Sequence, residues 1–157
     1  MTLDDIQECI PTSKQKRSQW QGSPLGVIKS LGKNGVAKFG ENLARKILRD
    51  RGETDVDHDH RASKDLGGKR RREVKTATSG AGKKYWFNQI KFGPSIEATS
   101  WDDLVFVAIS PNSIRVFLAP RSKKLKEGLT DNNYKEFHGP LNKLGPLGFE
   151  ELDSLSI

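Results

Sequence analysis

Leu104-Val-Phe-Val-Ala-Ile109 is the most hydrophobic run in the chain, and three of its six residues are β-branched. A run this short and this apolar predicts a strand buried on both faces, so the fold must supply cover on either side of a sheet. Pro111-Asn112 then makes a turn, and Ser113 to Leu118 returns as a second strand. Upstream, Val36, Phe39, Leu43 and Ile47 recur at helical spacing, with Ala44 and Leu48 widening the stripe. That pattern predicts a helix from about Gly35 to Arg51, with Gly52 as its stop.

Between these elements the texture changes. Glu53 to Asp59 holds four acidic residues, and Arg61 to Lys84 holds nine basic ones against Asp65 and Glu73. Gly67-Gly68 signals a turn, Lys69 to Thr78 reads as a strand, and Thr78 to Gly82 as a flexible loop. The aromatic-rich stretch Tyr85 to Phe92 is expected to be helical at least in part, ending before Gly93-Pro94. The order is helix, two or three strands, helix, strand, strand: a mixed α/β domain with one central sheet.

At 157 residues the chain has room for one ordinary domain. Residues 1–34 read as a polar arm with a short helix at Leu3 to Cys9. Residues 35–157 form the domain, with a core over about 35–118 and a loop-rich extension over 119–157. Twenty-seven Lys and Arg against 20 Asp and Glu leave a net charge of +7. A single cysteine, Cys9, excludes an internal disulfide and a multi-cysteine zinc site. No apolar run approaches the ~20 residues of a membrane span, and Met1 to Ile10 lacks the apolar stretch of a signal peptide. The expectation is a soluble, intracellular (cytoplasmic), basic domain with a polyanionic partner and no membrane.

The sharpest chemical feature is Arg72-Glu73-Val74-Lys75-Thr76. In a strand, Glu73 and Lys75 project from one face while Val74 anchors the other in the core. A carboxylate and an ammonium side by side in a cleft suit metal-assisted phosphodiester hydrolysis. The same spacing also describes an ordinary ion pair on an exposed strand. A metal needs a second carboxylate, and Asp65 precedes the Gly67-Gly68 turn. A two-residue loop pairs Asp65 with Arg70, on the face opposite Glu73. A three-residue loop, Gly67-Gly68-Lys69, pairs it with Arg71, on the face of Glu73 and Lys75. The metal hypothesis therefore demands the longer turn, with Asp57 and Asp59 as fallback ligands.

This arrangement resembles the PD-(D/E)XK nuclease superfamily, and Glu73-Val-Lys-Thr-Ala77, Trp86-Phe-Asn-Gln-Ile-Lys91 and Asp103 to Ile109 are most similar to type II restriction endonucleases. The resemblance covers about Gly35 to Leu118, and Lys64 stands where the family's proline precedes the aspartate. It implies a restriction-endonuclease-like core, a central mixed β-sheet flanked by helices. It makes Asp65 and Glu73 ligands of Mg²⁺, with Mn²⁺ able to substitute, and Lys75 the catalytic lysine. Glu41 would match the first-helix glutamate that supports the metal through water, and Gln89 a polar residue that the second helix points at the site. Without the resemblance, Glu41 is equally well explained as a first-turn glutamate favoured by the helix dipole.

Asp57-His-Asp-His60 resembles the opening of the ββα-metal nucleases, but the Gly-Gly turn and basic strand downstream do not continue that pattern. A solvated, acid-rich loop or edge strand is the reading preferred here, with a supporting metal or DNA contact next. Lys69 to Arg72 alternate around the proposed strand, and Lys83-Lys84 precede Tyr85-Trp86-Phe87. Cations beside flat aromatics can reach phosphates and bases together. Arg70, Arg71, Lys83 and Lys84 are thus candidate phosphate contacts, Arg121 to Lys126 a further strip, and Asn88 and Gln89 candidate readers of adenine. Phe87 is placed inside, and Trp86 is left unassigned. The expected activity is Mg²⁺-dependent cleavage of double-stranded DNA by a homodimer. A structure-specific nuclease (junction resolvase or repair nickase) and a non-catalytic DNA-binding module are the alternatives.

Overall fold

Every residue of the strand Asp103–Ser110 is buried, and the rest of the molecule is arranged around it. A computed structural model describes residues 19–58, 65–80, 83–93 and 101–157; the helix expected at Leu3 to Cys9, and Asp59, lie outside them. In chain order the elements are α1 (Gly26–Ser30), α2 (Gly32–Asp50), β1 (Arg72–Thr78), β2 (Tyr85–Ile90), β3 (Asp103–Ser110), β4 (Ser113–Pro120), α3 (Lys123–Gly128), β5 (Thr130–Asn132), β6 (Tyr134–Gly139) and β7 (Glu150–Ser156). Two short 3₁₀ turns, Leu141–Lys143 and Gly145–Leu147, separate β6 from β7.

The central sheet has the order β1-β3-β4-β7 and is mixed. β1 runs parallel to β3, with Glu73 beside Leu104 and Lys75 beside Phe106. β4 and β7 are antiparallel additions. Strand alternation sorts the two faces. Val74, Val105, Val107 and Val116 meet Ala44, Ile47 and Leu48 of α2 on one side. Ala77, Leu104, Phe106 and Ala108 face the other way. There a second sheet, order β2-β6-β5, provides the cover, with Phe87 stacked on Phe106 at 4.0 Å between ring centroids. The helix and the strand pair anticipated around β3 are therefore present, in a mixed α/β domain with helices against its central sheet.

Several expectations need correction. Tyr85 to Phe92 is not a helix: Tyr85, Phe87 and Ile90 are buried in a strand whose Trp86 is exposed. A second sheet accompanies the expected central one, and the tail is not loop-rich, because residues beyond 118 build β5, β6 and β7. The arm ends well before residue 34, since Trp20, Leu25 and Ile28 are buried in the cluster beneath α2. The strand begins at Arg72 rather than Lys69.

One contact fixes the spacing of α2 over β1. A Cβ at Gly40 would sit 1.7 Å from Thr76 Oγ1, so only glycine lets the helix backbone come this close. The neighbouring residue, Glu41, is thereby carried up to the strand that bears Glu73 and Lys75.

Candidate active site

Asp65 is held against β1 by its own backbone. The amides of Asp65 and Leu66 both donate to Arg72 O, at 2.9 and 3.0 Å, and Arg72 N donates back to Leu66 O at 2.9 Å. With Leu66 opposite Arg72, the next antiparallel position sets Asp65 opposite Glu73. The connecting loop is Gly67 to Arg71, longer than either turn considered from sequence. The register is two residues beyond the Asp65–Arg71 pairing considered from sequence, so by strand alternation Asp65 keeps the side of Glu73 and Lys75. Gly68 makes the loop possible: its φ is +112° and a Cβ there would lie 2.2 Å from Asp55 O.

The Asp65 carboxylate accepts a hydrogen bond from Val74 N at 2.7 Å. On the strand itself, Lys75 Nζ lies 2.6 Å from Glu73 Oε1, and the Glu73 side chain is only 5% exposed. Its second oxygen, Oε2, is buried with no hydrogen-bond partner among the described residues. An unsatisfied buried carboxylate oxygen is costly and calls for a partner. Burial first, then the charge of Glu73, pushes the Asp65 carboxyl up to about 6, against the opposing pull of the Val74 amide and Lys75. The charge of Glu41 acts in the same upward direction. Asp65, Glu73 and Glu41 thus form one field of negative charge at the edge strand.

Glu41 is 15% exposed, and its Oε2 lies 3.3 Å from Lys38 Nζ and 3.7 Å from His58 Nδ1. His58 is the residue that sequence reasoning missed. The segment leading to it, residues 54–57, is exposed apart from buried Val56 and is also gripped by α2: Arg49 and Arg45 donate to Asp57 Oδ1 at 2.8 and 3.4 Å. Pairing of His58 with Leu66 then lays this segment beside the one carrying Asp65. The alternation of acid and histidine was the available signal. Asp57, the fallback ligand, is committed to those two arginines.

Hard cations prefer oxygen donors, and the orphaned oxygen of Glu73 beside Asp65 is a donor set of that kind. Among the described residues no group of three His, Cys, Asp or Glu forms a ready-made metal cage. The residues present fit a cation that keeps part of its water shell, as Mg²⁺ does.

The expected DNA-binding residues are distributed differently from the sequence expectation. Arg70 reaches Asp103 through two nitrogens, one of them Nε at 2.7 Å. Arg71 forks onto Asp102 at 3.1 and 2.9 Å. Both lie in the loop rather than on the strand, and both charges are balanced. Arg121 lies over Phe92 and Trp101 and donates to Gly93 O, so it braces the core, while Lys123 and Lys124 are exposed on α3 and Lys126 is half-buried. Lys83 and Lys84 are exposed and have no ion-pair partner among the described residues. Asn88 and Gln89 sit at a bulge in β2, between Phe87, which pairs with Phe137, and Ile90, which pairs with Lys135. Gln89 has φ of +56° and is exposed; the helix meant to aim it at the site does not exist.

No protein-family model matches the chain, and no curated protein matches it. Among solved structures, the chain is similar to a "Restriction endonuclease in complex with substrate DNA", at 13% identity and a TM-score of 0.48, over 82% of this chain and 79% of that one.

Proposed function

We propose that this chain is a Mg²⁺-dependent DNA endonuclease of the restriction type, with a restriction-endonuclease-like core. The observation that carries the reading is the acid-rich edge of β1, where Asp65 and Glu73 stand opposite each other, one Glu73 oxygen is orphaned, and Lys75 is beside them. Asp65 and Glu73 would hold the cation. When bound, Mg²⁺ supplies Lewis-acid polarisation of the scissile phosphate and a lowered pKa for its water. Lys75, fixed by Glu73 Oε1, donates from Nζ to the attacking water and to the phosphate oxygen that gains charge. Glu41 accepts hydrogen bonds from water around the site, and His58 steadies Glu41. Val74, buried behind the pair, keeps β1 from rotating these groups away. Lys83 and Lys84 neutralise backbone phosphates, a role Arg70 and Arg71 can share only in part while Asp103 and Asp102 balance them. Asn88 and Gln89 present amides to base edges. Cutting both strands of a duplex with one small domain calls for a homodimer.

The test is supercoiled plasmid with Mg²⁺, comparing wild type with Lys75→Ala, Glu73→Ala and Asp65→Asn. Wild type should nick or linearise it, and each variant should lose cleavage by about 10²-fold or more, with DNA affinity and circular dichroism retained. Discrete fragments favour restriction, while cutting confined to four-way junctions favours a resolvase. If wild type leaves both plasmid and branched DNA intact, the chain is a DNA-binding module and the enzyme reading is wrong.

A further inference from the structure

The second sheet turns one large aromatic outward. Trp86 is 55% exposed, whereas its neighbours Tyr85 and Phe87 are 4% and 1% exposed. A single exposed aromatic is ordinary by itself; what marks this one is that its orientation is fixed and that cations lead into its strand. The ring is not loose. Its Nε1 donates to Glu136 Oε2 at 2.8 Å across the β2–β6 ladder. His138, its register partner, lies 6.3 Å away with its ring tilted by 38°. One edge of the indole is therefore pinned, and the polar edge is satisfied without covering the remaining ring surface.

Cations lie close to this ring in the chain, with one carboxylate, Glu136, tied to its N–H. Lys83 and Lys84 lead directly into β2, exposed and without an acidic partner among the described residues. A surface hollow lined by Glu136 and His138, the two β6 residues that Trp86 meets, also takes in Asn142 and Lys143. Glu136 is the one carboxylate in that lining, and it is engaged by the indole N–H. A flat, immobilised π-face beside cationic groups is the construction by which proteins hold single nucleotides, with the base on the ring and phosphates on the lysines. The bulge at Asn88 and Gln89 places two amides immediately beyond the ring, able to meet a base edge. A fully stacked base in a duplex cannot offer its face to such a platform, whereas an unpaired one can.

We propose that Trp86 is a stacking platform for an unpaired DNA base, flanked by Lys83 and Lys84, so that the protein engages single-stranded or extruded nucleotides in addition to duplex. The proposal rests on the reading of the chain as a DNA-acting protein and specifies which DNA this surface recognises.

The experiment measures binding in EDTA, so no cleavage is needed, using wild type, Trp86→Phe and Trp86→Ala. The probes are a labelled duplex, the same duplex with a one-base bulge, and the matching single strand. Trp86→Ala should weaken binding to the bulged duplex and the single strand by about tenfold or more, Trp86→Phe should weaken it less because a ring remains, and the paired duplex should change far less. Wild-type tryptophan fluorescence should be quenched by the bulged and single-stranded probes, because the other two indoles, Trp20 and Trp101, are buried. Unchanged affinity in Trp86→Ala overturns the platform while leaving DNA binding intact, and so does an equal loss on all three probes. Failure of wild type to bind any of the three overturns the DNA reading itself. A protein that shows the platform behaviour but never cuts with Mg²⁺ keeps this site and loses the nuclease assignment.

Discussion

Two acidic clusters flank β1, and they are built on opposite principles. At the strand's entrance, Arg70, Arg71 and Arg72 meet Asp103, Asp102 and Glu53, three guanidinium groups against three carboxylates. Along its free edge, Asp65, Glu73 and Glu41 stand with Lys75 on Glu73 and a half-exposed Lys38 on Glu41, while Asp65 has a backbone amide and no ion pair of its own among the described residues. The titration of the two aspartates records the difference. The Arg71 guanidinium holds Asp102 down at about 2, whereas burial and the neighbouring Glu73 push Asp65 up to about 6. A balanced cluster is complete as it stands and serves the fold. An unbalanced one costs stability in the absence of a further cation, which is the usual signature of a site arranged for binding or chemistry.

The strongest way to break this comparison is to unbalance the first cluster. Arg72 and Asp103 are 3% and 2% exposed at their side chains, with Arg72 Nε 3.2 Å from Asp103 Oδ2 and Arg72 Nη1 2.6 Å from Glu53. Arg72→Ala leaves a buried carboxylate with Arg70 as its remaining partner. The expected loss is about 3 kcal/mol, the lower end for a broken buried pair. Urea unfolding measures it, and a loss under about 1 kcal/mol would mean that this cluster is not what secures the start of β1.

The second cluster should respond in the opposite sense. Asp65 has a folded pKa above its unfolded value of 3.8, so the folded state holds its proton more tightly than the unfolded chain does. Its contribution to stability is therefore greatest below pH 4 and is lost as pH rises through about 6. With allowance for the part of the carboxyl still in water, the fall is roughly 2 kcal/mol. Asp65→Asn, which keeps an oxygen for Val74 N, should remove that slope and make the metal-free protein more stable at neutral pH while abolishing cleavage. Mg²⁺ should raise the neutral-pH stability of wild type and leave the variant nearly unchanged. An identical pH profile in wild type and Asp65→Asn would show that the edge cluster carries no excess charge.

How much of this was legible in the chain follows from the range of the forces involved. β3 and α2 announce themselves through local apolar pattern, and the Glu73–Lys75 face follows from the two-residue period of a strand. β2 was misread because its bulge shifts the last buried position from residue 89 to Ile90. The spacing Phe87 to Ile90 then imitates a helical i, i+3 step. The loop before β1 was misjudged because its length is set by distant partners: Arg70 and Arg71 are drawn to Asp103 and Asp102, more than thirty positions away. The same pairing balances the charge of two expected phosphate contacts. His58 joined the site through Arg45 and Arg49, whose grip on Asp57 no local pattern reveals. Trp20 stands alone and Leu25 to Ile28 is too short a stretch to show a period, so only the packed α2 shows where they go.

The smallest effect separates the two aspartates most cleanly. Asp102 and Arg71 have 26% and 36% of their side chains exposed, so solvent screens the pair and its worth is under about 1 kcal/mol. Because Asp102 is depressed to about 2 in the folded protein, its contribution is fully present above pH 4 and disappears as pH falls from there toward 2. The slope is thus opposite in sign to that of Asp65, and the two occupy adjoining pH ranges. Asp102→Asn should flatten stability below pH 4 and leave the region between pH 4 and 6 untouched, while Asp65→Asn should do the reverse. High salt should erase most of the Asp102 effect and spare more of the partly buried Asp65 effect. Two titration curves recorded with and without salt would therefore test whether charge at β1 is divided into a balanced structural half and an uncompensated reactive one, and a single shared slope in both variants would dissolve that division.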